Sequence, residues 1–100
     1  MGQLTYGDAG VVIVFDDRTL LHIQFAIGPK LRRHEGFFFS WVDDLQHGSG
    51  RSSLWIDHSI PMLFSYGSDQ RQTINKDWLE LLSRSASSTH GMQLIREPRS

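Results

Sequence analysis

The chain has no cysteine, which removes disulfides, thiolate metal ligands and cysteine nucleophiles together. An excess of base is missing too: ten Lys and Arg stand against eleven Asp and Glu, for a net charge of -1. Domains that hold nucleic acid through their overall field are usually basic, so such a role would have to rest on a local patch. Long apolar runs are absent. The longest, GVVIVF, is about a strand long, far short of the ~20 residues of a membrane span. The opening MGQLTYGDAG lacks the basic start and apolar stretch of a secretory leader. It begins Met-Gly but has no Ser or Thr at the sixth position, so the myristoylation pattern is incomplete. These absences predict a cytoplasmic protein with no membrane partner.

What is present is an ordinary globular mixture. Apolar residues make up 39% and aromatics 11% of 100 residues, enough for one core and one domain spanning residues 1–100. Gln3 to Tyr6 and Val11 to Phe15 read as strands, with the turn residues GDAG between them. Asp16 and Asp17 stand where a helix needs its N-cap. Leu20, Ile23, Ile27 and Leu31 then follow at helical spacing as one buried stripe, and Gly36 ends the helix. His22 falls one residue off that stripe and reads as half-exposed. FFFSWV, RSSLWID and MLFSY read as three strands joined by links too short for a crossover helix, hence an antiparallel meander. Asn75 is the expected cap of a second helix carrying Trp78, Leu79, Leu82 and Ala86, and MQLI is a last short strand. The order ββαβββαβ predicts an α+β, two-layer fold, two helices on one face of a mostly antiparallel sheet.

GPKLRRHEG, Gly28 to Gly36, gathers Lys30, Arg32, Arg33 and His34 in a nearly neutral chain. If one helix runs through it, the cluster needs no ligand, because cations in a last turn are stabilised by the helix dipole by ~0.3–1 kcal/mol each. Pro29 weighs against one helix, since an interior proline costs ~3 kcal/mol. The cheaper backbone breaks at Gly28 and restarts at Pro29. Lys30 would then sit near a positive helix end, a placement better explained by a phosphate, an acidic protein face or the acidic loop Asp43–Asp44. Arg51, after the glycines of HGSG, is a candidate to join the cluster.

Several constellations look chemical and are better explained without chemistry. IDHS puts Asp57, His58 and Ser59 side by side, but triads assemble in space and no nucleophile elbow accompanies them. It reads as a strand end and its turn. The five histidines do not pair at zinc-site spacing. Alternation puts Phe37, Phe39 and Trp41 on one face and Phe38, Ser40 and Val42 on the other. An aromatic sheet face can stack unpaired bases, although one face must pack on the helices, which makes most of these rings core.

MGQLTYG, DDRTLLHIQFAIGPKLRRHEGFFFSW, GRSSLWIDHSIPMLFSY, INKDWLELL and SSTHGMQLIREP together resemble a family of small actinobacterial proteins of unassigned function, often labelled ATP-dependent DNA ligase. The resemblance covers nearly the whole chain, and KLRR, GRSSLW and N-K-D-W are its most specific pieces. An ATP-dependent ligase attaches AMP to a lysine in a Lys-x-Asp-Gly motif. The two lysines here lie in KLRR and KDWL, and the chain has no room for an adenylation domain. The resemblance therefore implies at most an accessory domain found beside ligases.

The sequence thus leans away from an enzyme and points to no cofactor or metal. It predicts a binding or accessory domain whose Lys30, Arg32, Arg33 and Arg51 offer an anionic-ligand surface, nucleic-acid phosphate first. The alternative is a protein-interaction or homo-oligomerising module in which exposed aromatics and Met62 make the contact.

Overall fold

Local signals dictate most of the elements in the computed structural model, which describes residues 1–8, 10–42, 50–70 and 72–98. Strands β1 (Gly2–Tyr6) and β2 (Val11–Phe15) form a hairpin. Its turn carries Gly7 and Gly10 at φ 77° and 73°, left-handed values that a side chain would strain. Helix α1 (Asp17–Arg32) opens with the Asp16 carboxylate accepting from the Thr19 backbone N–H at 2.7 Å. Then come β3 (Phe37–Val42), β4 (Arg51–Ile56), β5 (Met62–Ser65), α2 (Lys76–Ala86) and β6 (Met92–Gln93). Asn75 caps α2 by accepting from the N–H groups of Asp77 and Trp78.

The order ββαβββαβ is the one expected, and the fold is α+β. The strands, however, divide into two sheets, β2-β1-β5 and β4-β3-β6. β3 and β4 pair antiparallel as a meander would, but β5 leaves them and pairs antiparallel with β1. β6 joins β3 in parallel. The chain turns away after β4 because Tyr6, at the end of β1, holds the corner. Its hydroxyl donates to the Trp55 carbonyl at 2.7 Å and accepts from the Asp57 N–H at 3.0 Å. The Gly7 N–H also donates to the Pro61 carbonyl.

α1 rests on β1, α2 on β3 and β6, and the helices on each other. Leu4, Leu20, Ile23, Phe39, Ile56 and Leu82 are fully shielded from solvent between these layers. Phe15 closes the junction of the sheets, its ring 6.3 Å from those of Phe39 and Trp41.

Helix α1 corrects two local expectations. It runs unbroken through Gly28 and Pro29. Pro29 lies on the exposed side while Ile27 is buried and Leu31 packs on the core. Core burial on one face outweighs the hydrogen bond lost on the other, where water can serve the freed carbonyl. The helix also stops at Arg33, before Gly36 is reached. The His34 N–H donates to the Leu31 carbonyl and the Glu35 N–H to the Lys30 carbonyl, the paired bonds of a Schellman cap. His34 takes the left-handed position, φ 57°, usually given to glycine.

Candidate anion-binding surface

The Schellman cap puts Lys30, Arg32 and Arg33 in the closing turns of α1, where the helix dipole favours positive charge. Two of the three are engaged. Lys30 Nζ donates to Ser87 Oγ at 2.9 Å, at the C-cap of α2, and pairs with Glu35 at 3.2 Å; its side chain is only 14% exposed. Arg33 Nε donates to Glu35 Oε1 at 3.3 Å. Lys30 first and Arg33 second hold the Glu35 carboxyl below the usual carboxylate range. Arg32 is exposed and has no partner among the described residues.

Arg51 stands apart from this group. It opens β4 opposite Val42, whereas the α1 end of the ladder is the Phe37–Ile56 pair. Five residue steps of strand separate them, or ~17 Å at ~3.4 Å per residue. Arg51 too is exposed and has no partner among the described residues. Asp43 and Asp44, the suggested acidic neighbours, lie outside the described residues, as does His47.

Between the two cationic ends lies the outer face of β4-β3-β6. Strand alternation sends Phe37 and Phe39 into the core and leaves Phe38 outside beside Trp55; these two are 51% and 47% exposed. Their rings meet at 5.1 Å and 71°. Trp55 lies over Gly36 so closely that a Cβ there would stand 2.5 Å from the indole. Next along the ladder, the hydroxyls of Ser40 and Ser53 bond at 2.6 Å. Phe38, Ser40, Arg51, Ser53, His90 and Gln93 line much of a depression of about 660 Å³ on this face. At the α1 end, His34 stacks on His58 at 4.2 Å and 9°.

Asp57, His58 and Ser59 form a turn, as their order suggested. Asp57 Oδ1 accepts from both the N–H and the hydroxyl of Ser59, which hold its carboxyl below the ordinary range. Among the described residues, no group of three or more His, Asp or Glu is placed to hold a metal ion.

The polar centre that sequence reasoning missed lies at the opposite end of α1. His22, expected half-exposed, is fully buried. Its Nε2 accepts from the Asn75 N–H at 2.8 Å, which leaves the proton on Nδ1 to donate to the Arg18 carbonyl, also at 2.8 Å. The ring stacks on Trp78 at 4.4 Å, and Trp78 Nε1 donates to the Ile95 carbonyl. Arg18 reaches Glu97 with two parallel bonds of 2.9 and 2.7 Å and the Thr73 carbonyl with a third. Asn75 Nδ2 adds a bond to Glu97 Oε2. Arg18 first and Asn75 second draw the Glu97 carboxyl down to about 2. No buried side-chain nitrogen or oxygen among the described residues lacks a partner. This centre therefore ties α1, the cap of α2 and the C-terminal segment together. It is saturated, and so reads as structural. The signals available for it were Arg18 four residues before His22 and the Asn-to-Trp spacing of NKDW.

Residues 1–97 match the family model described as a domain of unknown function, DUF7882. The chain belongs to the DUF7882 family. No curated protein and no solved structure matches it. In this DUF7882 chain, INKDWLELL and SSTHGMQLIREP, two of the segments that carried the resemblance, contribute Asn75, Trp78 and Glu97 to the saturated centre. GRSSLW contributes Arg51, Ser53 and Trp55 to the outer sheet face.

Proposed function

We propose that this chain is a non-catalytic binding domain, an accessory module of the cytoplasm, whose outer β4-β3-β6 face and cationic α1 end take nucleic-acid phosphate. One observation carries the proposal. Two exposed guanidinium groups have no partners among the described residues: Arg51 lines the sheet face on which Phe38 and Trp55 stand half-exposed, and Arg32 ends α1 five residues before β3 begins. The ~17 Å of ladder along this face corresponds to about five nucleotides at ~3.4 Å per stacked step, and to fewer in a stretched strand. Arg33 can swing from Glu35 to a phosphate at little cost, because exposed ion pairs are worth ~0–1 kcal/mol. Lys30 contributes its field rather than a contact, being held by Glu35 and Ser87. The same engagement argues against Lys30 as an adenylated nucleophile, so the ligase label of the look-alike family supports a nucleic-acid context and no ligation by this chain.

The test is oligonucleotide binding at two salt concentrations. Two to four phosphate contacts give a slope of log K against log salt of about -1.4 to -2.8 for single strands. Arg32→Ala with Arg51→Ala should remove most of the binding and flatten that slope. Unchanged binding by the double variant sinks the proposal.

A second reading is self-association through the other sheet. The outer face of β2-β1-β5 holds Val12, Val14 and Leu63, all at least half exposed, beside the uncharged Gln3, Thr5 and Ser65. Edge strand β2, VVIVF, carries neither charge nor proline, the usual protections of an edge. A second copy presents the same uncharged face, so no buried charge would oppose pairing. Sedimentation over a concentration series separates the readings, since only this one requires an oligomer.

A further inference from the structure

We infer that the depression on the outer β4-β3-β6 face seats one unpaired nucleobase, so that the surface takes single-stranded nucleic acid in preference to duplex. The inference rests on the nucleic-acid reading above and adds the part of the ligand that phosphate contacts do not specify.

Phosphates alone would need only cations on a convex surface. This face offers something different. Its depression of about 660 Å³ is within the range of small-ligand sites and leaves space for a base and its sugar. Phe38 forms one wall, with half of its surface in solvent and its ring braced edge-on by Trp55. Its backbone is clamped from the other side. Gly91, at φ 78°, comes so near that a Cβ there would lie 2.5 Å from the Phe38 carbonyl oxygen. The ring thus already has a supporting contact before any ligand arrives, and preorganisation is what makes an exposed ring useful to a binder.

The floor is polar and partly unspent. The Ser40 and Ser53 hydroxyls have two protons and four lone pairs between them, and their mutual bond uses one of each. One O–H and several lone pairs are therefore left for a ligand. Gln93 Nε2 donates to the His90 carbonyl at 3.2 Å, while its amide oxygen and second proton have no partner among the described residues. Donors and acceptors together match the mixed edge of a nucleobase, which is open only in an unpaired strand. Among the described residues no carboxylate lines the depression, and Arg51 is part of its lining, where it can meet the phosphate attached to the seated base. A duplex keeps its bases stacked and their pairing edges occupied, so it would gain the cations and nothing from Phe38, Ser40 or Gln93.

The experiment measures anisotropy of a labelled single-stranded oligonucleotide, its duplex of the same sequence, and a mononucleotide competitor, against the full chain and Phe38→Ala. Phe38→Tyr serves as the conservative variant and circular dichroism as the check on folding. Stacking of one base predicts that the single strand binds roughly 5- to 150-fold tighter than the duplex. Phe38→Ala should weaken the single strand by roughly 5- to 150-fold, leave the duplex and the salt slope unchanged, and be rescued by Phe38→Tyr. Equal binding of strand and duplex, with no effect of Phe38→Ala, overturns the base seat while leaving the phosphate surface standing. A mononucleotide that competes as well as the strand overturns the strand preference and assigns the seat to free nucleotides. If neither oligonucleotide binds, the phosphate reading fails, and the seat with it.

Discussion

The two ends of α1 carry similar chemistry and use it differently. At the N-terminal end, Arg18 spends three hydrogen bonds on Glu97 and Thr73, and both ring nitrogens of His22 are engaged. At the C-terminal end, a single carboxylate, Glu35, serves both Lys30 and Arg33, while Arg32 has no partner among the described residues. The first end is saturated and partly buried; its charges and amides stabilise the fold. The second is undersupplied with acceptors and open to solvent, where spare donors cost little and remain available to a ligand. Charge counting would not separate these two ends. Counting partners does.

Removing His22 gives the largest contrast between them. His22→Ala should lower stability by about 2–4 kcal/mol, through a cavity against Trp78 and the loss of a partner for the Asn75 N–H. His22→Phe, which keeps a ring on Trp78, should recover part of that loss. Arg32→Ala with Arg51→Ala should stay within about 0.5 kcal/mol of the parent. Thermal melts of the four proteins make the comparison. A double variant that melts as early as His22→Ala would mean that the cationic surface is structural after all.

Acid should weaken both ends, with the stronger effect at the saturated one. Glu97 ionises at about 2 in the folded chain against an ordinary value of 4.5. Its contribution is therefore fully present above about 4.5, fades as the pH falls through that window, and is gone below about 2. Glu35 is shifted in the same direction, so it too stabilises only while ionised. Denaturant titrations of Glu97→Gln should show lower stability at neutral pH and a flatter decline towards pH 2. Glu35→Gln should show the same trend more weakly, and should bind an oligonucleotide tighter than the parent because Lys30 and Arg33 are released. Equal pH profiles for parent and Glu97→Gln would remove Glu97 from the account.

The smallest expected effect concerns the cap itself. His34 occupies a left-handed position whose cost for a residue with a Cβ is ~1 kcal/mol, offset in part by the stack on His58. His34→Gly should stabilise the chain by about 0.5–1 kcal/mol, read from the denaturation midpoint. A loss instead would show that the stack outweighs the strain.

The element order and both helix starts were legible because they depend on neighbours in sequence. Asp16 caps α1 and Asn75 caps α2 from the adjoining position, and the hairpin glycines and the alternation of FFFSWV act within a few residues. Pro29 misled for the same reason: its local penalty is real, but Ile27 and Leu31 pack on the far side of the turn and outweigh it. His22 misled because it lies at the edge of the apolar stripe, and its burial depends on Trp78, more than fifty residues later.

By itself, then, the sequence determined the alternation of strands and helices, the lack of cysteine chemistry and the gathering of Lys30, Arg32 and Arg33 within four residues. Only the tertiary structure decided that the strands form two sheets, that Arg51 stands across a sheet face from the other cations, and which charges are already satisfied. Those outcomes depend on pairings such as Tyr6 with Trp55 and Arg18 with Glu97. Pairings between distant segments are chosen by competition among all the surfaces the folded chain brings together, and no local pattern records the result.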